Sequence, residues 1–161
     1  MKKLMFSAIL AMMAFVGFAQ SPAATTTGKI GSTDVTIKYS QPGVKGRKIW
    51  GDLVPYNEVW RTGANAATTI QFSKDVMIEG KALKAGKYAL FTIPTDKDWT
   101  IIFSSKAEQF GAFSYKEAED VLRVKVTPKK AATMTERMTF VVGKNDVALM
   151  WDNLEVSFGV K

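Results

Sequence analysis

Short segments that alternate apolar and polar residues, each ended by turn residues, are the feature that most constrains this chain. Val35 to Tyr39 is the clearest example, and the turn Gln41-Pro42-Gly43 follows one residue later. A period of two places one side of the segment in a core and the other in solvent, as in a half-buried strand. Because similar segments recur down the chain, the sequence predicts an all-β fold.

Eight further segments have strand character, which gives about nine strands in all. They are Thr68 to Phe72, Val76 to Ile78, Lys87 to Ile93, Trp99 to Phe103, Val121 to Val126, Met138 to Val142, Val147 to Trp151 and Leu154 to Phe158. The turns include Glu79-Gly80 and Asp152-Asn153, whose residue types favour tight links. The segment Lys87 to Ile93 is apolar on both faces and is therefore expected at the centre of a sheet.

An antiparallel β-sandwich with one short helix near Tyr115 to Asp120 is the predicted fold, and a closed lipocalin-like β-barrel is the alternative. The small, polar stretch from Ser21 to Gly28 is expected to be a lead-in to the strands that follow. The chain contains no cysteine. Without disulfides, hydrophobic packing alone has to stabilise the domain.

Residues 1–19 have the layout of a secretory signal peptide. Two lysines precede an apolar run from Leu4 to Phe18, and small residues, Gly17 and Ala19, stand before the expected cleavage point. Cleavage there leaves a single β-rich domain over residues 20–161, without a membrane span, in the periplasm or secreted. Loss of the two lysines lowers the net charge from +7 to +5, a modest surplus that does not predict nucleic acid binding.

The chain also lacks histidine. Together with the missing cysteine, this excludes a Ser-His-Asp triad, a cysteine nucleophile and an ordinary zinc site within this sequence. No phosphate-binding loop motif occurs, and two aspartates in the turn at Asp96-Lys97-Asp98 are too few ligands for calcium. The sequence therefore predicts no cofactor and no metal, and it argues against an enzyme.

The long connection from Gln41 to Asn65 departs from the strand pattern and is the best place to seek function. Trp50, Tyr56 and Trp60 offer large apolar surfaces for packing, so the connection is expected to be ordered.

Four segments carry a resemblance to a known family: Pro42 to Arg47, Val54 to Tyr56, Trp60 to Asn65 and Ala85 to Tyr88. They resemble the hallmark segments of DUF2911, an exported bacterial family without an assigned activity. The resemblance runs from about Ser21 to the C-terminus. It implies a one-domain, exported, β-rich protein and assigns no catalytic residues.

A ligand-binding set is concentrated in the long connection. Arg61 can present its planar guanidinium to a carboxylate or phosphate, and Trp60 can provide a flat surface for stacking. Thr62 and Asn65 add uncharged hydrogen-bonding groups, and the remaining candidates are Arg47 and Tyr56. The set suits a small acidic ligand or a sugar. The alternative is structural: the aromatic residues plug one end of the sandwich, while Arg61 and Asn65 bind loop carbonyls or pair with nearby acids.

Two other functions stay open. Asp52 and Glu58 are weak candidates for a catalytic carboxylate pair, which would suit a hydrolase acting on glycans. The third hypothesis is a structural or interaction domain of the cell envelope that binds another protein. The aromatic loop Phe110 to Tyr115 is the candidate contact for such a partner, unless it folds back onto the core.

Overall fold

The computed structural model describes residues 20–161, so the predicted signal peptide at 1–19 lies outside the described residues. Ten strands are present in this range: β1 (Ala23–Ile30), β2 (Thr33–Ser40), β3 (Thr69–Phe72), β4 (Val76–Ile78), β5 (Lys81–Leu83), β6 (Gly86–Ile93), β7 (Trp99–Ser104), β8 (Asp120–Val126), β9 (Lys129–Val142) and β10 (Asp146–Gly159). The predicted short helix is a single 3-10 turn, Glu117–Glu119. None of the described residues forms a helix long and apolar enough to cross a membrane.

Six strands form one antiparallel sheet in the order β1-β2-β3-β6-β7-β8. β1 and β8 stand at opposite ends of that order and do not pair with each other, so the sheet stays open. The sandwich prediction is confirmed, and the closed barrel is not formed by the described strands.

A long hairpin of β9 and β10 supplies the opposite layer. Tyr39 of β2 packs its ring edge against Phe140 of β9 at a centroid distance of 4.9 Å. Phe103 of β7 meets Phe158 of β10 at 5.6 Å. The main core therefore lies between the six-stranded sheet and the hairpin.

β6 is buried on both faces, as its apolar sequence predicts. Tyr88 and Leu90 point into the main core, whereas Ala89 and Phe91 belong to a second, smaller cluster with Ile102 of β7. Loops cover that outer face, and Tyr115 packs its ring on Phe91 at 5.0 Å.

The side chains of the aromatic loop from Phe110 to Tyr115 are partly packed on the protein and partly exposed. Ala112 and Tyr115 fold back on the smaller core, but Phe110 and Phe113 are 69% and 89% exposed. The loop is thus a partial lid with two aromatic rings left in solvent.

Several parts of the prediction differ from the structure: β5 (Lys81–Leu83) was not among the predicted strands, and β9 begins at Lys129 and not at Met138. The expected lead-in contains β1, whose residues pair with β2 from Ala23 to Ile30. The expected turn at Asp152-Asn153 is instead an irregularity inside one strand, β10, with shifts of register on both sides of Asp152. Asp152 adopts a positive φ of 52°, which bends the strand without ending it.

A candidate anion site at the tryptophan cluster

All four tryptophans of the chain meet at one end of the main core. Trp50 and Trp60 come from the long connection, Trp99 begins β7 and Trp151 lies in β10. Trp50 contacts Trp99 and Trp151 edge-on at centroid distances of 5.0 and 5.6 Å. Trp60 stacks on Trp151 at 5.9 Å with 20° between the ring planes. We call these four residues the tryptophan cluster.

The tryptophan cluster holds three buried donors without acceptors. Trp60 donates its indole N–H to the Gly63 carbonyl at 3.1 Å. The indole nitrogens of Trp50, Trp99 and Trp151 are buried and have no hydrogen-bond partner among the described residues. Buried donors of this kind are rare and costly in native proteins, so the cluster is not optimised for stability alone.

The segment from Trp60 to Asn65 is fixed by the strands on either side. Trp60 exchanges two backbone hydrogen bonds with Thr92 of β6, and Thr68 donates its backbone N–H to the Arg61 carbonyl at 3.1 Å. Thr62 has φ of 56°, an unfavourable conformation for a β-branched residue. Surrounding contacts therefore hold this segment in one strained shape, which is a recurrent property of functional sites.

Arg61 is the unusual charge in this segment. Its Nε is buried without an acceptor, and none of the ion pairs of the described chain involves it. Burial lowers the pKa of the Arg61 guanidinium, because no neighbouring acid offsets the loss of hydration. The side chain remains partly exposed, so an incoming ligand can reach it.

A small cavity of about 210 Å³ lies beside Arg61. Trp60, Trp151 and Gly63 contribute to its wall, and Arg47 stands on its rim. Arg47 is exposed and anchored by two loop carbonyls, with Nη2 donating to Gly43 at 2.6 Å and Nε donating to Val44 at 3.1 Å. The cavity thus joins two guanidinium groups to an aromatic wall, and no acidic side chain lines it.

The other predicted ligand-binding residues are placed differently. The Thr62 hydroxyl is buried and donates towards the Trp60 carbonyl and the Thr92 hydroxyl at 3.3 and 3.2 Å. Asn65 donates its side-chain amide to the Ser21 carbonyl and the Ser40 hydroxyl, both at 3.4 Å. Tyr56 lines a second cavity, on the other side of the connection. The structure therefore brings Trp60, Arg61 and Arg47 together, but not Tyr56.

The weak catalytic candidates do not meet at a cavity. Asp52 and Glu58 are both exposed, and neither lines the Arg61 cavity or the second cavity. Neither carboxylate lies within 4 Å of Arg61, since no ion pair joins them. Over residues 20–161, no group of three or more acidic side chains is arranged to hold a metal ion.

Trp151 is the part of the site that the sequence did not reveal. It lies far along the chain from Arg61, and only the folding of β10 onto the long connection brings the two together. The one available signal was the count of four tryptophans in a chain of this size, since large aromatic side chains tend to cluster.

Comparison with known families was decisive for classification. Residues 21–160 match the family described as a protein of unknown function, DUF2911. The chain belongs to this family. No curated protein and no solved structure gives a significant match. DUF2911 membership spans both β layers and the tryptophan cluster, but it supplies no activity, so function has to be inferred from the site.

Proposed function

We propose that this protein is an exported, non-enzymatic binding domain that takes a small anion, a carboxylate or a phosphate group, at Arg61. One observation carries the proposal: a partly buried guanidinium stands beside a cavity, no acid of the described chain pairs with it, and its buried Nε has no acceptor among the described residues. An unpaired buried charge destabilises a fold. A ligand that supplies the missing negative charge removes that cost.

The chemistry of the cavity favours an anion over other ligands. Arg61 and Arg47 give it positive charge from two sides, and no acidic residue of its lining opposes them. A guanidinium binds a carboxylate or phosphate through two parallel N–H···O bonds, which are stronger than neutral hydrogen bonds. The low polarity of Trp60 and Trp151 strengthens such bonds further.

The size of the cavity restricts the ligand. A volume of about 210 Å³ is below the range of pockets that enclose drug-sized molecules, about 300 Å³ and above. The cavity therefore accepts an anionic group and its immediate carbon atoms. The rest of a larger ligand would extend past Arg47 into solvent.

A thermal-unfolding titration tests the anion site. The protein, expressed from the full chain, is titrated with sodium phosphate, sodium acetate and sodium D-glucuronate at constant ionic strength, with D-glucose as the uncharged counterpart of glucuronate. A ligand that binds only the folded state raises the apparent stability, by about 2.7 kcal/mol at a hundredfold excess over Kd. We expect at least one anion to raise Tm in a way that depends on Arg61, whereas any shift with D-glucose should be the same with and without Arg61.

Two variants assign any shift to Arg61. Arg61→Met removes the guanidinium and keeps the volume, whereas Lys144→Met removes one charge from an exposed turn. The shift should disappear in Arg61→Met and persist in Lys144→Met. Equal shifts in all three proteins would show a general salt effect and contradict the site. No shift with any anion, together with a sharply lower Tm for Arg61→Met, would assign Arg61 to a structural role.

Export is the second part of the proposal, and residues 1–19 support it by their sequence alone. Expression of the full chain in a bacterial host, followed by fractionation and N-terminal sequencing, tests it. We expect protein that begins at Gln20 outside the cytoplasm. An intact N-terminus in the cytoplasmic fraction would contradict export while leaving the anion site untouched.

A further inference from the structure

We propose a second, independent binding site for an uncharged sugar in the cavity between the long connection and the irregularity of β10. This cavity has a volume of about 400 Å³, within the range of pockets that enclose small molecules. Its lining includes Trp50, Tyr56, Asp96, Asp152 and Asn153. None of these residues lines the Arg61 cavity, so the two sites can be tested separately.

The charges around this cavity balance and so favour an uncharged ligand over a strongly charged one. Lys48 and Lys97 contribute two positive charges, and Asp96 and Asp152 two negative ones. These four residues form no ion pair within 4 Å, although they line the same cavity. An anion would meet both carboxylates and a cation both ammonium groups. An uncharged ligand that offers both hydrogen-bond donors and acceptors can bond to all four of these side chains.

Hydroxyl groups meet that requirement. Each hydroxyl donates one hydrogen bond and accepts two, so a ring with several hydroxyls can satisfy carboxylates, ammonium groups and an amide together. Asn153 adds the amide, and hydrogen bonds to the ionised groups are the stronger kind. The aromatic side chains of Trp50 and Tyr56, which line the cavity, supply apolar surface against which the C–H groups of a sugar ring can pack.

Both walls of the cavity are held in place by unusual backbone. Gly51 has φ of 78°, and a Cβ there would lie 2.8 Å from the Tyr56 ring. Glycine therefore permits the close approach of the Tyr56 ring to its own loop. Asp152, which also lines the cavity, adopts φ of 52° in the interior of β10. The strained backbone at Asp152 interrupts the regular alternation of β10, so that the Asp152 and Asn153 side chains both line the cavity.

Binding of neutral sugars tests this site directly. We would titrate the protein with D-glucose, D-mannose, N-acetyl-D-glucosamine and the β-1,4-linked disaccharides of glucose and N-acetyl-D-glucosamine, and follow the indole resonances by NMR. We expect at least one of these sugars to bind with a Kd of about 1 mM or tighter and to move the Trp50 indole signal. No binding by any of them would overturn the proposal.

Variants place the sugar in this cavity. Asp152→Asn and Tyr56→Leu should each weaken the binding by about tenfold or more. Asp98→Asn is the matched control, because Asp98 lies close to Asp96 in the sequence but lines another cavity. Equal weakening in Asp98→Asn would overturn the assignment. Arg61→Met should leave sugar binding unchanged and abolish anion binding, so the failure of one site does not imply the failure of the other.

Discussion

Arg61 and Arg123 are two partly buried arginines that the fold treats in opposite ways. Arg123 donates from Nε to Asp120 at 2.7 Å and from Nη2 to the Tyr115 hydroxyl at 2.6 Å. Its Nη1 lies 3.4 Å from Glu117. Among residues 20–161, Arg61 has no acidic partner, and its buried Nε has no acceptor. Under the proposed function, this difference separates a structural guanidinium, Arg123, from one that is available to a ligand.

The pKa values of the two arginines shift in opposite directions. Burial lowers the pKa of Arg123, but the hydrogen bonds that Arg123 donates to Asp120 and Tyr115 outweigh burial and raise the pKa. Burial alone acts on Arg61 and lowers its pKa. Opposed shifts on chemically identical groups show that one guanidinium already has its counter-charge in the fold.

The largest expected loss of stability is that of Arg123→Met. Arg123→Met leaves the Asp120 carboxylate, 7% exposed, with only the Tyr115 hydroxyl as a side-chain donor. Unfolding by urea should show a loss of about 1–3 kcal/mol in the free energy of unfolding, less than for a fully buried pair because Arg123 is partly hydrated. An unchanged free energy would contradict the structural role given to this network.

Tyr115→Phe should have a smaller effect that depends on pH. Near neutral pH, loss of the hydrogen bond to Asp120 at 2.7 Å should cost about 1 kcal/mol. Burial, followed by that hydrogen bond, raises the pKa of Tyr115 to about 12, above the ordinary value of about 10. As pH rises, the Tyr115 hydroxyl therefore loses its proton in the unfolded chain before it does so in the folded protein. The stabilisation that Tyr115 provides is thus present below pH 10 and is lost as pH rises through 12.

Urea unfolding of the parent protein and of Tyr115→Phe, at several pH values between 9 and 11.5, checks the direction of this pH dependence. Other tyrosines and lysines titrate in both proteins, so the difference between the two isolates Tyr115. The parent should lose stability more steeply than the variant. Parallel curves would contradict the raised pKa.

The smallest expected effect on stability is at Arg61. Arg61→Met, in the absence of ligand, should leave the free energy of unfolding unchanged or raise it by up to about 1 kcal/mol, because a charge without a partner is replaced by an apolar side chain of similar length. A loss as large as that of Arg123→Met would show that the two arginines do not differ, and would contradict the comparison.

Local sequence predicted much of the fold, and long-range contacts decided the rest. The hairpin at Glu79-Gly80 followed from turn chemistry, since both residues take positive φ, and β6 followed from its apolar faces. β1 was missed because Thr25-Thr26-Thr27 lacks large apolar side chains. Its backbone pairing with β2 is what makes this segment a strand. Asp152-Asn153 has turn chemistry, but pairing with β9 continues on both sides of Asp152.

The candidate site was less predictable than the fold. The long connection was expected to be ordered, and Trp50 and Trp60 do pack into the tryptophan cluster. The structural alternative expected Arg61 and Asn65 to bind loop carbonyls or to pair with nearby acids. Asn65 does donate to the Ser21 carbonyl, whereas no ion pair of the described residues involves Arg61. That outcome depends on the placement of carbonyls and carboxylates in space, which local sequence does not specify.

The most direct test of the contrast is a ¹H–¹⁵N spectrum of the arginine Nε–H and indole N–H groups, recorded while sodium phosphate, acetate or D-glucuronate is added. Arg61→Met and Arg123→Met assign the two arginine signals. We expect at least one anion to move the Arg61 Nε–H and the Trp151 indole signals in a saturable way and to leave the Arg123 signal in place. Signals of Arg61 and Arg123 that stay fixed with every anion, or move together, would contradict this expectation.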